Sequence, residues 1–274
     1  MSIINISSDV YEEGRKIAQK TAEAMGYAYV GREILRGVAE KYHLSETKLV
    51  DAIDKAAPTL RMSLKLRKQL MAYIQEAVLG EMLKDNIVCQ GLAAHLYVLG
   101  VSHVLKVRIL IDPEERARNY AQTHNMSVKK AEKLLAREKK LRQQWSFSEF
   151  RFDETDPSKY DLMVSLSQID PDEAVRIITE TVCSRKFQPM NYSEKCLKDL
   201  ELAARVRVLL MDKYPSSRVQ ANGGNLIIET LGLTREKRKR EAAIKELAEN
   251  IPGVNYVEVH FIHDFFRQAA ESFR

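Results

Sequence analysis

The sequence predicts an α/β protein in two parts. A parallel sheet with helices on both faces is expected over residues 1–184, a linker over 185–195, and a small αββαβ domain over 196–274. Three observations predict this. Short apolar runs alternate with helix-length amphipathic segments through the first two thirds. Helical periodicity is lost around the proline of "RKFQPMNYS". Beyond it, two strand patterns meet at "NGG", residues that accept positive φ and so favour a tight hairpin.

Each element has its own signal. The runs at 3–6, 87–89, 104–111 and 162–164 are predominantly apolar, as strands buried on both faces are. Helical patterns at 13–25, 32–42 and 60–83 separate the first two strands. In "DPEERARNYAQ", Asp112 is the expected N-cap and Pro113 takes the first helical position, where its missing N–H costs nothing. In the second part, a helix at 194–213 leads into "SRVQA" and "NLIIETL". A helix at 234–250 and a strand at 255–262 follow, and a short helix at 264–273 is expected to cover an edge or a partner.

Composition narrows the class. With 274 residues, 45% hydrophobic, the chain can bury real cores. No basic region followed by an apolar run opens it, and no apolar run approaches the roughly 20 residues needed to span a bilayer, so a cytoplasmic protein is expected. Cys89, Cys183 and Cys196 are odd in number and lack metal spacing, which suggests reduced thiols, with Cys89 in the core. A net charge of +5 is compatible with small anionic ligands and gives no strong nucleic-acid signal.

The chemistry is concentrated in "INISSDVYEEGRKIAQKTAEAMGY". A strand, a turn and a helix N-terminus are the general geometry for holding phosphate, because free backbone amides and the positive helix end face the anion. The turn reads Val10-Tyr11-Glu12-Glu13-Gly14, with two acids and one glycine. This opening, together with "HVLKVRILIDPEERARNYAQTHNMSVKKAEKLLAREKKLRQQW" and "DETDPSKYDLMVSLSQIDPDEAVRII", resembles the cytidylate kinase-like family, a branch of the P-loop nucleoside monophosphate kinases. The resemblance covers approximately residues 1–183. It implies a P-loop kinase-like fold, ATP and Mg as cofactors, and phosphoryl transfer to CMP or a similar acceptor.

Departures from the family pattern fall at the chemistry. Where the family has Ile-Ser-Arg and then Gly-Ser-Gly-Gly, this chain has Ile6-Ser7-Ser8, then Tyr11, Glu12 and Glu13, with Gly14 alone remaining. Val30-Gly31-Arg32-Glu33 lacks the family's aspartate, Leu92 in "QGLAAH" replaces an arginine, and Lys139 stands at an aspartate position. Tyrosine cannot yield space to phosphate as glycine does. A glutamate pointing at a phosphate ~4 Å away would cost roughly 4 kcal/mol at an effective dielectric of 20, about half of a micromolar binding energy.

The remaining candidates are therefore Gly14, Arg15 and Lys16 for phosphate binding, and Lys140 and Arg142 as catalytic groups of a lid. Arg61, Lys65, Arg67 and Lys68 are candidates for a monophosphate-facing patch, with a solvated helix face as the stronger reading. Lys129, Lys130, Lys133, Arg137, Lys139, Lys140 and Arg142 alternate with Val128, Ala131, Leu134, Leu135, Leu141 and Trp145 at helical spacing, so a wet basic face accounts for most of them. Arg116 and Arg118 read as surface. No metal site is expected, since no carboxylate or cysteine completes a set around His260 and His263. Ser7 and Ser8 have no evident partners for nucleophilic catalysis.

Residues 200–261 resemble a BON domain, on the helix before the hairpin, the Asn-Gly turn, the Thr-led helix and Ile251-Pro252-Gly253-Val254-Asn255-Tyr256-Val257. The resemblance implies a binding module for a membrane surface or small ligand. The basic residues Arg235, Lys237, Arg238, Lys239 and Arg240 could meet phospholipid or nucleotide, with a solvated helix end as the stronger reading. The expected function is a nucleotide-sensing or regulatory binding protein with a degenerate phosphate loop. An active nucleoside monophosphate kinase and a homo-oligomerising structural scaffold are the alternatives.

Overall fold

In the computed structural model, which describes residues 2–54, 62–150, 152–231 and 237–262, β1 (Ile3–Ser8) is the central strand of a five-stranded parallel sheet. Arg61, Arg235, His263 and the helix expected at 264–273 lie outside the described residues. The strand order is β2-β3-β1-β4-β5, with β2 at Ala28–Val30, β3 at Ile87–Gln90, β4 at Val104–Leu110 and β5 at Leu162–Ser165. β1 pairs with β3 and β4 in parallel register, Ile3 opposite Ile87 and Val104.

Both faces of this sheet are covered, which explains its predominantly apolar runs. Ile3 and Ile87 face a core built with α2 (Ile34–Lys41), α3 (Glu46–Asp54) and α4 (Leu64–Met82). Ile4, Ile6 and Val107 face the other core, with α1 (Tyr11–Met25) and α8 (Pro171–Val182). Ile3, Ile4 and Ile6 are fully buried, each worth roughly 1.5–3 kcal/mol relative to exposure. α5 (Ala94–Tyr97) follows β3, and α6 (Pro113–Thr123) and α7 (Val128–Phe150) form a pair beyond β4. The Asp112 cap is present, its carboxylate accepting from the backbone N–H of Glu114 and Glu115 at 3.0 and 2.9 Å.

Several elements differ from the sequence expectation. β2 has only three residues, of which Val30 alone is buried, so it carries no strand periodicity. α3 is a separate helix, and α4 starts at Leu64, where the Ser63 hydroxyl accepts from the Leu66 N–H at 3.2 Å. No helix among the described residues is long and apolar enough to cross a membrane.

The second sheet has the order β6-β7-β8, from Arg218–Asn222, Asn225–Leu231 and Tyr256–Ile262. β6 and β7 are antiparallel, and β8 returns parallel to β7 after α10 (Lys237–Glu249). One face packs on α9 (Asn191–Leu210) and α10, through Leu202, Val206, Leu226, Ile228, Ile244 and Val257. The expected linker is a 3-10 turn at Arg185–Phe187 followed by the start of α9, which opens at Asn191 and not at 194. Phe187 is buried in the first sheet's core, and Leu197 and Ala204 of α9 pack into the core that contains α4. One helix thus serves both sheets.

The hairpin turn uses two glycines in different ways. Gly223 has φ +59 and only the Lys195 side chain nearby, whereas Gly224 has φ +83 and a Cβ there would lie 2.6 Å from the Gly253 carbonyl oxygen. Gly224→Ala is expected to cost about 1–3 kcal/mol, and Gly223→Asn less than about 1 kcal/mol because asparagine tolerates the left-handed region. Urea unfolding of both variants checks this ranking.

Candidate functional site

The carboxyl ends of β1, β4 and β5 converge where open α/β sheets hold ligands. β1 ends at Ser8 and α1 begins at Tyr11, so only Asp9 and Val10 join them. Val10 is extended at φ −124, and its N–H donates to the Ser8 hydroxyl at 3.3 Å. Gly14 is buried inside α1, and a Cβ on it would lie 2.6 Å from the Ser8 Cβ. Its small size permits the close approach of helix and strand.

Glu12 and Glu13 occupy the first turn of α1, where carboxylates are favoured by the helix dipole. Arg15 pairs with Glu12 at 3.7 Å and Lys16 with Glu13 at 2.8 Å. The hydrogen bond to Glu13 and its charge raise the Lys16 pKa. Of the predicted phosphate ligands, Arg15 and Lys16 thus lie on the outside of the helix beside acids of their own turn, and Gly14 lies against the strand. The Tyr11 ring lies 3.7 Å from where a Gly91 Cβ would stand, and the Arg32 guanidinium stacks on it at 3.9 Å. Leu92, at the family's arginine position, is buried in the α4 core. It belongs to a left-handed run, with Gly91, Leu92 and Ala93 at φ 70, 57 and 56, uncommon for residues other than glycine.

Two ion pairs fill the space between β1, β4 and α7. Arg108 of β4, 8% exposed, donates to Asp9 and to the Ser7 hydroxyl, the latter at 3.4 Å. Arg142 of α7 grips Glu154 with two bonds of 2.6 and 3.2 Å. Burial works against both charges, yet their attraction prevails: the Arg142 pKa is raised and the Glu154 pKa lowered. The Tyr160 hydroxyl donates to the Glu154 carbonyl at 2.7 Å, and His95 stacks on Tyr160 with centroids 5.6 Å apart. Burial, with Arg108 and Arg142 nearby, pushes His95 down to about 3, so it stays neutral at physiological pH.

The lid candidates separate. Arg142 faces Glu154, while Lys140, two positions earlier on the helix, is exposed with the other lysines of α7. Lys65 and Lys68 are exposed, and Lys68 pairs with Glu149 at 3.1 Å. Arg67 corrects the reading of a solvated patch. It is 3% exposed, donates to the Ala52 carbonyl at 3.0 Å and lies 4.4 Å from the Trp145 ring centroid, and burial lowers its pKa to about 10.

Beside these pairs lies a cavity of about 770 Å³. Asp9, Val10 and Glu13 form one wall, Arg116, Asn119 and Tyr120 of α6 with His124 just past its end a second, Leu135 and Glu138 of α7 a third, and Leu166 to Pro171 the floor. Arg116, read from the sequence as surface, lines this cavity. Sequence reasoning missed the site because its residues come from four separate segments and form no motif. Among the described residues, no group of three His, Cys, Asp or Glu is placed to hold a metal ion.

The parallel sheet, its strand order and a site at the strand ends define a P-loop kinase-like α/β domain. The chain belongs to the cytidylate kinase-like family, which matches residues 3–168. No curated protein matches it. Similar solved structures include an uncharacterized protein from Eubacterium ventriosum, at 18% identity and TM-score 0.47, covering 68% of this chain and 100% of that one. Shikimate kinase from Bacteroides thetaiotaomicron is similar at 10% identity and TM-score 0.41, covering 66% of this chain and 98% of that one. For shikimate kinase from Acinetobacter baumannii in complex with shikimate, identity is 14%, TM-score 0.39, and the coverage 69% and 96%.

Proposed function

We propose that this member of the cytidylate kinase-like family is a regulatory binding protein that does not transfer phosphoryl groups. The observation that carries the reading is the two-residue turn between β1 and α1. A phosphate cradle needs several consecutive backbone N–H groups pointing at the anion. Here the Asp9 N–H donates to the Ile109 carbonyl at 3.2 Å, the Val10 N–H to the Ser8 hydroxyl at 3.3 Å and the Gly14 N–H to the Val10 carbonyl at 3.2 Å. The residues present do not fit the triphosphate and magnesium that the family implies. Arg15 and Lys16 are paired with Glu12 and Glu13, and Arg142 with Glu154.

In this reading the C-terminal αββαβ domain, which resembles a BON domain, is a second binding module for a small ligand or a membrane surface. α9 supports the coupling of the two, since Leu197 and Ala204 pack toward α4 while Leu202 and Val206 pack under β7. Calorimetric titration of the full chain with Mg-ATP, followed by a phosphotransfer assay with CMP, tests the proposal. The expected result is no heat at millimolar nucleotide and no product. Binding tighter than ~100 μM, roughly 5.5 kcal/mol, with formation of CDP would establish an active kinase instead.

A further inference from the structure

α7 has two opposite faces of different character. On one, Ala131 is buried and Leu134, Leu135, Leu141 and Trp145 are half-buried, which turns that side toward the rest of the domain. On the other, at 3.6 residues per turn, Lys129, Lys130, Lys133, Arg137, Lys140 and Phe147 fall within an arc of about 100°. All six are exposed, Phe147 by 58%. At 1.5 Å per residue the stripe runs for about 27 Å along the helix. The acids of α7, Glu132, Glu138 and Glu149, all lie outside its arc.

This arrangement of charge works against the helix. Lys129 and Lys133, and Lys133 and Arg137, are like charges four positions apart, and Arg137 and Lys140 are three apart, spacings at which like charges destabilise a helix. Elsewhere in the molecule the same spacings serve compensation, since Arg15, Lys16, Arg176 and Lys245 each pair with a glutamate three or four positions away. Among the described residues the ion pairs of α7 are Lys68–Glu149 and Arg142–Glu154, and neither involves a cation of the stripe. A ligand carrying a row of negative charges would relieve the repulsion.

Shape and Phe147 choose among polyanions. An anionic membrane is a plane and rewards a helix that inserts an apolar face, whereas α7 turns its apolar face inward and offers a strip one helix face wide. A nucleic-acid strand is a line of charges, about 3.4 Å apart when its bases are stacked. The exposed ring beyond the cations is a surface on which an unpaired base stacks. We infer that this face of α7 binds single-stranded nucleic acid, its five cations holding phosphates and Phe147 holding one base. Contacts to phosphates and to the flat face of a base carry little sequence preference. The stripe shares no residue with the cavity at the strand ends, so it stands apart from the regulatory reading of that site.

Fluorescence anisotropy of a labelled thymidylate strand of about 20 nucleotides, titrated with the full-length protein, tests this. At ~50 mM salt the expected Kd is below about 10 μM, and the logarithm of the binding constant should fall with that of salt at a slope of about −3.5, roughly 0.7 for each of five phosphate contacts. Lys133→Glu/Arg137→Glu, at exposed positions, is expected to weaken binding at least ~tenfold and to flatten the slope by about 1.4, with the melting temperature of the free protein kept. Phe147→Ala is expected to weaken binding at least ~fivefold and to leave the slope unchanged, which separates stacking from charge. Absence of binding at ~50 mM salt overturns the inference, and so does unchanged affinity in the double glutamate variant. A duplex of the same length bound as tightly as the single strand overturns it as well. Capture by phosphatidylserine vesicles without binding of the strand would assign the stripe to a membrane surface instead.

Discussion

Arg142→Ala is expected to destabilise the protein more than Glu154→Gln, although both cut the same ion pair. The Arg142 side chain is 40% exposed and that of Glu154 is 2% exposed. Truncating the arginine leaves a buried carboxylate without its countercharge, a change that costs about 3–5 kcal/mol in dry interiors. Water can enter along the path that Arg142 vacates, so the lower end, ~3 kcal/mol, is expected. Glu154→Gln keeps the shape and leaves a guanidinium that can turn toward solvent, at about 1 kcal/mol. The pH dependence has a definite sign. Because the folded-state pKa of Glu154 is depressed, the pair's contribution is present above the ordinary carboxyl value of 4.5 and is lost as pH falls through the folded value. Urea unfolding at neutral and acidic pH checks both parts: the gap between the native protein and Glu154→Gln should close as the solution is acidified, and a constant gap would remove the ion pair as its cause.

The first sheet was legible because its inner strands β1, β3 and β4 are buried on both faces. Ile3, Ile4 and Ile6 face opposite cores, so the run carries no alternation and needs no context to be recognised. The Asp112 cap, followed by proline, fixed the start of α6 for an equally local reason. β2 was not legible, since its pairing with β3 and not its own composition holds it. At the site, the sequence raised the expectation that Tyr11, Glu12, Glu13 and Leu92 depart from a phosphate-binding pattern. It could not signal that Arg15 and Lys16 pair with glutamates of their own helical turn, or that Arg67 is buried under Trp145. Those outcomes depend on which face of a helix meets the rest of the molecule. The cavity was the least legible feature. Asn119 and Gln168 are ordinary surface residues until α6 and the β5–α8 connection bring them together.

Arg108→Met should be the most damaging single change at the carboxyl ends of the sheet. Arg108 and Asp9 have side chains 10% and 19% exposed, so the pair is desolvated on both sides. Methionine preserves much of the volume and removes the charge, which leaves the Asp9 carboxylate without the Arg108 guanidinium. A loss of roughly 3–4 kcal/mol follows from the cost of an uncompensated buried charge. The double variant Arg108→Met/Asp9→Leu is expected to recover at least half of that loss, because an apolar pair of similar volume replaces the ion pair without stranding either member. A coupling energy of about 1–3 kcal/mol from the full cycle is the predicted reading, and additivity would show that the two residues do not act as a pair. The same cycle bears on the proposed loss of phosphate binding. Asp9 is one of the two residues between β1 and α1, so releasing it from Arg108 loosens the turn without lengthening it. Mg-ATP should therefore remain unbound by both variants. Recovery of ATP binding on breaking the pair would mean that Arg108 and Asp9 hold shut a phosphate site the backbone could otherwise form.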